Sequence, residues 1–289
     1  MNKKELINYL NEKAKFLQDE ICELGSEGHI DHIHYGGLLS SVEVLTALYY
    51  HYLGFRLDNL DLPSRNRFIP SKPHCAMLLY IIFADLGLYE RSYIFDNYKK
   101  FGHPFFQVPN IDVKGIEVST GSLGMGLSIS VGIAIAYLDN GYNSRVYCLL
   151  GDGEMQEGSN WEAIMYAGSH NLSNLVCILD DNKCTASFRD GDNIVVDWEN
   201  AFKAFGWHVI KINGVCMDEI VDAFETIVST DLSESHKPTI VISQTRKGQN
   251  VDFIQGPGWH YGHLSTRDMD RAKKCIDKHY SCLADKGGE

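Results

Sequence analysis

None of the 8 cysteines falls in a CxxC pair, so the sequence offers no spacing on which a zinc framework could be built. The cysteines are scattered through apolar segments, Cys148 and Cys177 among them, and read as reduced, mostly buried thiols. Proline is scarce, at 7 residues in 289. With 26 glycines, 44% hydrophobic and 22% charged residues, the composition is that of an ordinary globular chain. It excludes a disordered tail, a collagen and a coiled coil. No run of basic residues relieves the excess of 38 acidic over 26 basic side chains, a formal charge of −12. A polyanion would meet net repulsion, so nucleic acid is not an expected partner. A local anion site stays open, because helix ends, a metal ion or a few histidines can reverse the sign locally. No stretch reaches the roughly 18 uncharged apolar residues of a membrane span. The longest candidate, Ser122 to Leu138, is rich in glycine and serine and stops short. The N-terminus, Met1-Asn2-Lys3-Lys4-Glu5, opens a charged amphipathic helix without an apolar signal core. The expectation is a soluble, cytoplasmic chain with no membrane contact.

What is present has a clear rhythm. Residues 3–25, 40–53 and 77–86 carry helical apolar spacing. Four short apolar runs follow: Arg145 to Leu150 (RVYCLL), Leu175 to Leu179 (LVCIL), Trp207 to Ile212 (WHVIKI) and Thr239 to Ser243 (TIVIS). Ser159 to His170 and Met217 to Ser229, which lie between them, have helix periodicity. Uninterrupted apolar runs alternating with helices predict a doubly wound α/β fold: a mostly parallel sheet with helices on both faces. A single domain over 1–289 is expected, since no repeat or low-complexity linker interrupts the chain. At this length folding buries roughly 75% of the extended surface, enough for one large core.

In such sheets ligands bind beyond the carboxyl ends of the strands. The first run ends in Gly151-Asp152-Gly153, where glycines let backbone N–H groups approach an anion and the carboxylate can hold a hard cation. On its own a GDG is more often a strand-ending turn. The second run ends in Asp180-Asp181-Asn182, so an amide oxygen falls 30 positions after Asp152. One right-handed βαβ unit of that length sets the two strand ends side by side. Asp152 and Asn182 can then share one Mg²⁺, completed by a backbone carbonyl and two diphosphate oxygens.

The segment GDGEMQEGSNWEAIMYAGSHNLSNLVCILDDN resembles the thiamine diphosphate motif of transketolase, and the resemblance extends from His34 to His263. His34-Tyr35-Gly36-Gly37 with Leu39-Ser40 is similar to the family's GHPGGSLS, and RNRFIPSKPH at Arg65 to His74 to its RDRFxxSKGH. Gly102-His103-Pro104, TGSLGMG at Thr120 to Gly126, Phe205 to His208, and Lys247-Gly248 through Trp259-His260 follow in the family's order. The resemblance implies that Asp152, Asn182 and the carbonyl of Cys184 ligate Mg²⁺. It implies that Gly153, His74, Lys247 and His260 hold the diphosphate, and that Gly121-Ser122-Leu123 lie along the aminopyrimidine. His34, His103 and His260 would face donor and acceptor sugars and move hydroxyl protons, work that suits imidazole near neutral pH. Glu157 and Glu162 match an acidic network that crosses a subunit interface in the family.

Each assignment has a plainer competitor. His29, His32 and His34 could form a metal cluster instead. The 121–126 turn lacks the GxGxxG spacing of a dinucleotide site. Glu157 and Glu162 could merely decorate a helix start. His51, His170, His236 and His279 read as solvated or structural.

A transketolase-like enzyme has three domains, and this chain has room for the diphosphate-binding one only. The resemblance therefore implies the N-terminal subunit of a split enzyme. A partner chain would bring the pyrimidine-binding and C-terminal domains, in an α2β2 heterotetramer acting on small sugars or sugar derivatives. Several departures from the family pattern stand out: Cys184 to Asp190 after the asparagine, Pro73 in SKPH, Lys247-Gly248-Gln249-Asn250 for KGxG, and His103-Pro104-Phe105 for HPE. Phe105 and Phe106 would place apolar surface where substrates pass, which suggests a specialised biosynthetic carboligase. The alternatives are the alpha subunit of a 2-oxo acid dehydrogenase or decarboxylase, which would lack the histidine series, and a non-catalytic binding relative.

Overall fold

The computed structural model describes residues 1–25, 30, 32–188, 194–232 and 236–286. Five parallel strands form one sheet: β1 Arg67–Pro70, β2 Val146–Gly151, β3 Leu175–Asp181, β4 His208–Asn213 and β5 Thr239–Gln244, in the order β1-β2-β3-β5-β4. The four apolar runs are β2 to β5, displaced by one residue or extended by one or two. The remaining strand, β1, falls inside the RNRFIPSKPH motif and pairs Arg67 with Val146 through Pro70 with Leu149.

The strands sort their side chains by alternation, as a two-residue period requires. Tyr147, Leu149, Val176, Ile178 and Val241 enter one core. Val146, Cys148, Leu150, Leu175, Cys177, Leu179, Ile240 and Ile242 enter the other. Helices α1 Lys3–Leu24, α2 Tyr35–Leu39, α3 Val42–Ala47, α4 Ala76–Asp85 and α5 Arg91–Asp96 cover the first face. Helices α6 Met125–Asp139, α7 Gly158–Ser169 and α8 Trp198–Ala204 cover the second. Helix α9 Met217–Ser229 and the C-terminal α10 Thr266–Lys286 return to the first face, where Ala272 and Ile276 are fully buried. The fold is the doubly wound α/β arrangement expected.

Helix α1 starts in a capping box: the Glu5 N–H donates to Asn2 Oδ1 and the Asn2 N–H to Glu5 Oε2, each at 2.9 Å. The helical stretch at 40–53 divides into α3 and a π turn, Leu48–Tyr52. Ser41 Oγ donates to the Gly37 carbonyl at 3.1 Å, which holds the break between α2 and α3. Among the described residues no helix is long and apolar enough to cross a membrane. The described residues include all eight cysteines and no disulfide joins them; Cys22, Cys75, Cys148 and Cys177 are buried.

At Gly168 α7 packs tightly against the chain after α8: a Cβ there would lie 1.8 Å from the Phe205 carbonyl oxygen. Backbone cannot swing aside as a side-chain tip can. Gly168→Ala is therefore expected to cost about 3 kcal/mol or more, the upper end of overpacking. Loss of under about 1 kcal/mol in a denaturant titration would contradict this packing.

Candidate active site

The carboxyl ends of β1, β2, β3 and β5 open on a cavity of about 380 Å³. Lys72, Asp152, Asn182 and Lys247 line it, each one to three residues beyond a strand. Parallel register brings Gly151 beside Asp180, so the loops carrying Asp152 and Asn182 are adjacent. The Asp152 carboxylate is 9% exposed. Its oxygens accept the N–H of Gly153 at 2.8 Å and of Lys183 at 2.7 Å. Burial, then the charge of Asp180, pushes its pKa up to about 7. A cavity-facing carboxylate held half-neutral by its surroundings suits a divalent cation, whose charge would restore the ionised form. Asn182 Nδ2 donates to Asp180 at 2.9 Å, and Asn182 Oδ1 accepts the Cys184 N–H at 3.2 Å. Cys184 itself lines the cavity.

The two lysines differ. Lys72 Nζ spends its donors on Asp180 Oδ2 at 2.5 Å, the Gly37 carbonyl at 2.7 Å and Ser41 Oγ at 2.8 Å. An ammonium has three N–H groups, so Lys72 keeps none for a ligand. Lys247 Nζ contacts the Thr185 carbonyl at 2.7 Å and His260 Nδ1 at 3.1 Å, leaving one donor for the cavity. Burial lowers the Lys247 pKa to about 8, still cationic near neutrality.

His34, His74 and His260 cluster together; His74 and His260 line the cavity and His34 does not. Their ring centroids are 4.6 Å (34–74), 5.2 Å (34–260) and 4.8 Å (74–260) apart, and their nitrogens lie within 4.8 Å of one another. Burial lowers all three, to about 4 for His34 and His260 and about 2 for His74, reinforced by neighbouring imidazoles and lysines for His34 and His74 and by Lys247 and Lys72 for His260. These imidazoles are neutral at pH 7 and can accept or donate a hydroxyl hydrogen bond without adding charge. Of the alternative grouping of His29, His32 and His34, His29 lies outside the described residues, and the His32 ring stacks on Tyr261, 5.4 Å between centroids.

The structure does not bring every expected residue to the cavity. Leu123 and Gly153 line it, but Gly121 and Ser122 are exposed beside it, and His34 and His103 are half-buried outside the lining. Glu157 and Glu162 are exposed on the α7 approach. Phe105 is corrected: it is 1% exposed, turned into the core against Tyr80, Tyr89 and Tyr93, and presents nothing to a passing substrate. Phe106 is exposed.

Sequence reasoning gave no role to Lys72, Asp180 or Glu154. Glu154 is 3% exposed and accepts Ser71 Oγ at 2.5 Å, the Gly124 N–H at 3.0 Å and the Gly151 N–H at 3.1 Å. It ties the end of β2 to the glycine turn, where Gly124 sits at φ +82° and a Cβ would be 2.5 Å from Ser159 Oγ. The signal for Glu154 and Asp180 was present, since each is a carboxylate directly beside an assigned motif residue.

A parallel α/β sheet gathers a buried carboxylate, an amide, a lysine and two imidazoles at its carboxyl edge, the place where such sheets bind ligands. The comparisons give the family. Residues 20–279 match the family described as transketolase, thiamine diphosphate binding domain. The chain is 36% identical over 276 residues to an apulose-4-phosphate transketolase subunit of Phocaeicola vulgatus, covering 95% of both chains. It is 33% identical to the 6-deoxy-6-sulfo-D-fructose transketolase subunit SqwG of Clostridium sp. (strain MSTE9), covering 93% of this chain and 94% of that one. Against human transketolase identity is 33%, with 86% of this chain but only 38% of the relative covered. The transketolase crystal structure from Campylobacter jejuni superposes with a TM-score of 0.80 at 27% identity, over 96% of this chain and 43% of that one. The chain belongs to the transketolase family and spans its thiamine diphosphate binding domain.

Proposed function

We propose that this chain is the cofactor-holding subunit of a two-chain, Mg²⁺-dependent enzyme that transfers a two-carbon ketol unit between small sugars or sugar derivatives. The observation that carries the reading is the pairing of Asp152 and Asn182 at adjacent strand ends, with Lys247, His74 and His260 around one cavity. The donor set fits the cofactor: Asp152, Asn182 and the Cys184 carbonyl are hard oxygen ligands for Mg²⁺. Lys247, His74, His260 and the Gly153 N–H would hold the diphosphate. The exposed Gly121-Ser122 and the cavity-lining Leu123 would lie along the aminopyrimidine.

When bound, thiamine diphosphate supplies a thiazolium ring that delocalises the electron pair left by carbon–carbon cleavage. This chain's residues do the rest. His34 and His260 accept and return hydroxyl protons of the sugar at ring nitrogens that burial keeps neutral. His34 and His103 would act from outside the cavity lining. Lys72 spends its charge inside the protein, so anion binding falls to Lys247.

The split arrangement is supported by relatives of matching length whose names call them subunits. A partner would bring the pyrimidine-binding and C-terminal domains and close the cavity in an α2β2 assembly, with Glu157 and Glu162 at the contact. Eight cysteines without a disulfide support a cytoplasmic setting.

The test is reconstitution of the chain with its partner and a donor–acceptor screen read by product mass. Products two carbons longer than the acceptor, formed only with both chains, thiamine diphosphate and Mg²⁺, are expected. Release of CO₂ from a 2-oxo acid would favour the dehydrogenase reading. Activity confined to the ordinary pentose phosphates would overturn the specialised role.

A further inference from the structure

We infer that Asp180 is a positioning residue which sets the orientation of the Asn182 side chain, so that its oxygen and not its amide nitrogen is offered to the cation. The inference rests on the cofactor reading above and adds to it a residue that touches neither the cation nor the diphosphate.

Asp180 is fully buried, the next-to-last residue of β3. Four side-chain donors converge on its carboxylate. Oδ2 accepts Lys72 Nζ at 2.5 Å, Ser40 Oγ at 2.7 Å and Asn182 Nδ2 at 2.9 Å. Oδ1 accepts Thr245 Oγ1 at 2.5 Å. These partners come from α2's end, the loop after β1, the loop after β3 and the loop after β5, the segments that frame the cavity.

A carboxylate is an acceptor only, so it can hold Asn182 in one way, with the NH₂ turned toward it. The two faces of an amide are nearly isosteric, and rotation by half a turn would present two N–H groups to a cation. The Cys184 N–H, 3.2 Å from Asn182 Oδ1, discriminates in the same sense, because it needs an acceptor there. Lys72 pairs with the buried Asp180 carboxylate at 2.5 Å. With its three N–H groups committed, it does so without reaching the ligand.

The experiment uses this chain mixed with its partner and reads the Mg²⁺ concentration that supports thiamine diphosphate binding by calorimetry. The apo melting temperature serves as the folding control. The variant pair Lys72→Met, Asp180→Leu removes both charges and the acceptor together, a replacement by apolar side chains that folded proteins often accept. Its Mg²⁺ requirement is expected to rise about 10- to 100-fold, the usual effect of losing an outer partner of a metal ligand. Adding Asn182→Asp to that pair is expected to restore wild-type Mg²⁺ affinity, because a carboxylate has no wrong face. In the wild-type background Asn182→Asp sets two carboxylates against each other and is expected to weaken Mg²⁺ binding. That single variant also decides the matter if the pair fails to fold. An unchanged Mg²⁺ requirement in the folded pair, no rescue by Asn182→Asp, or tighter binding by Asn182→Asp alone would overturn the inference. If the wild-type chain mixed with its partner shows no Mg²⁺-dependent binding, the cofactor reading falls and takes the inference with it.

Discussion

Replacing Asp152 by alanine is expected to abolish cation-dependent binding of thiamine diphosphate while the chain stays folded. Asp152 is the one carboxylate that both lines the cavity and stands at the proposed cation position, with Asn182 contributing only a neutral oxygen. Outer partners of metal ligands are worth about 10- to 100-fold in affinity, and removal of the ligand itself should exceed that range. The apo protein should not suffer in the same measure. The Asp152 pKa is raised in the folded chain, so burying the ionised group opposes folding at every pH above the unfolded value. At pH 8 the alanine variant is therefore expected to melt at or above the wild-type temperature. A large fall in the melting temperature, or retained Mg²⁺-dependent binding, would count against the assignment.

The second large effect is expected at Lys247. Its free donor is a charge-assisted contact to the diphosphate, worth roughly 1.5–3 kcal/mol, so Lys247→Met should weaken binding about 10- to 100-fold. The pH dependence distinguishes this residue from its neighbours. Wild-type affinity should rise as Asp152 ionises through about pH 7, then fall as Lys247 loses its proton above about pH 8. In Lys247→Met the alkaline fall should vanish and the acidic rise remain. The same substitution at Lys72 should leave the alkaline limb in place, because that ammonium is spent on Asp180, Gly37 and Ser41.

Much of the fold could be read from the chain because β2 to β5 are buried runs whose ends coincide with changes in period. Strand β1 escaped because Arg67–Pro70 is four residues long, opens with arginine and closes with proline, and so lacks an apolar run of its own. It is a strand because it pairs with β2, a fact of tertiary structure. The helical stretch at 40–53 was legible as helix, but its division at Leu48 was not, since its apolar spacing continues across the change of hydrogen-bond pattern.

The site divides in a similar way. Asp152, Asn182, Lys247, His34, His74 and His260 lie in spaced motifs whose chemistry can be named from residue type alone. Lys72, Asp180 and Glu154 are charges that carry meaning only through the partners that bury them, and those partners come from distant segments, up to 140 positions away for Ser40 and Asp180. Phe105 shows the converse. A side chain beside a motif histidine looks available in sequence, but its ring fills a space between Tyr80, Tyr89 and Tyr93.

The most direct measurement is calorimetric titration of thiamine diphosphate into this chain in the presence and absence of Mg²⁺, alone and then mixed with the partner chain. The account predicts saturable binding that requires the cation, tightens when the partner closes the cavity, and disappears in Asp152→Ala. Binding indifferent to Mg²⁺ and to Asp152, or no binding by a mixture in which both chains are folded and associated, would contradict it.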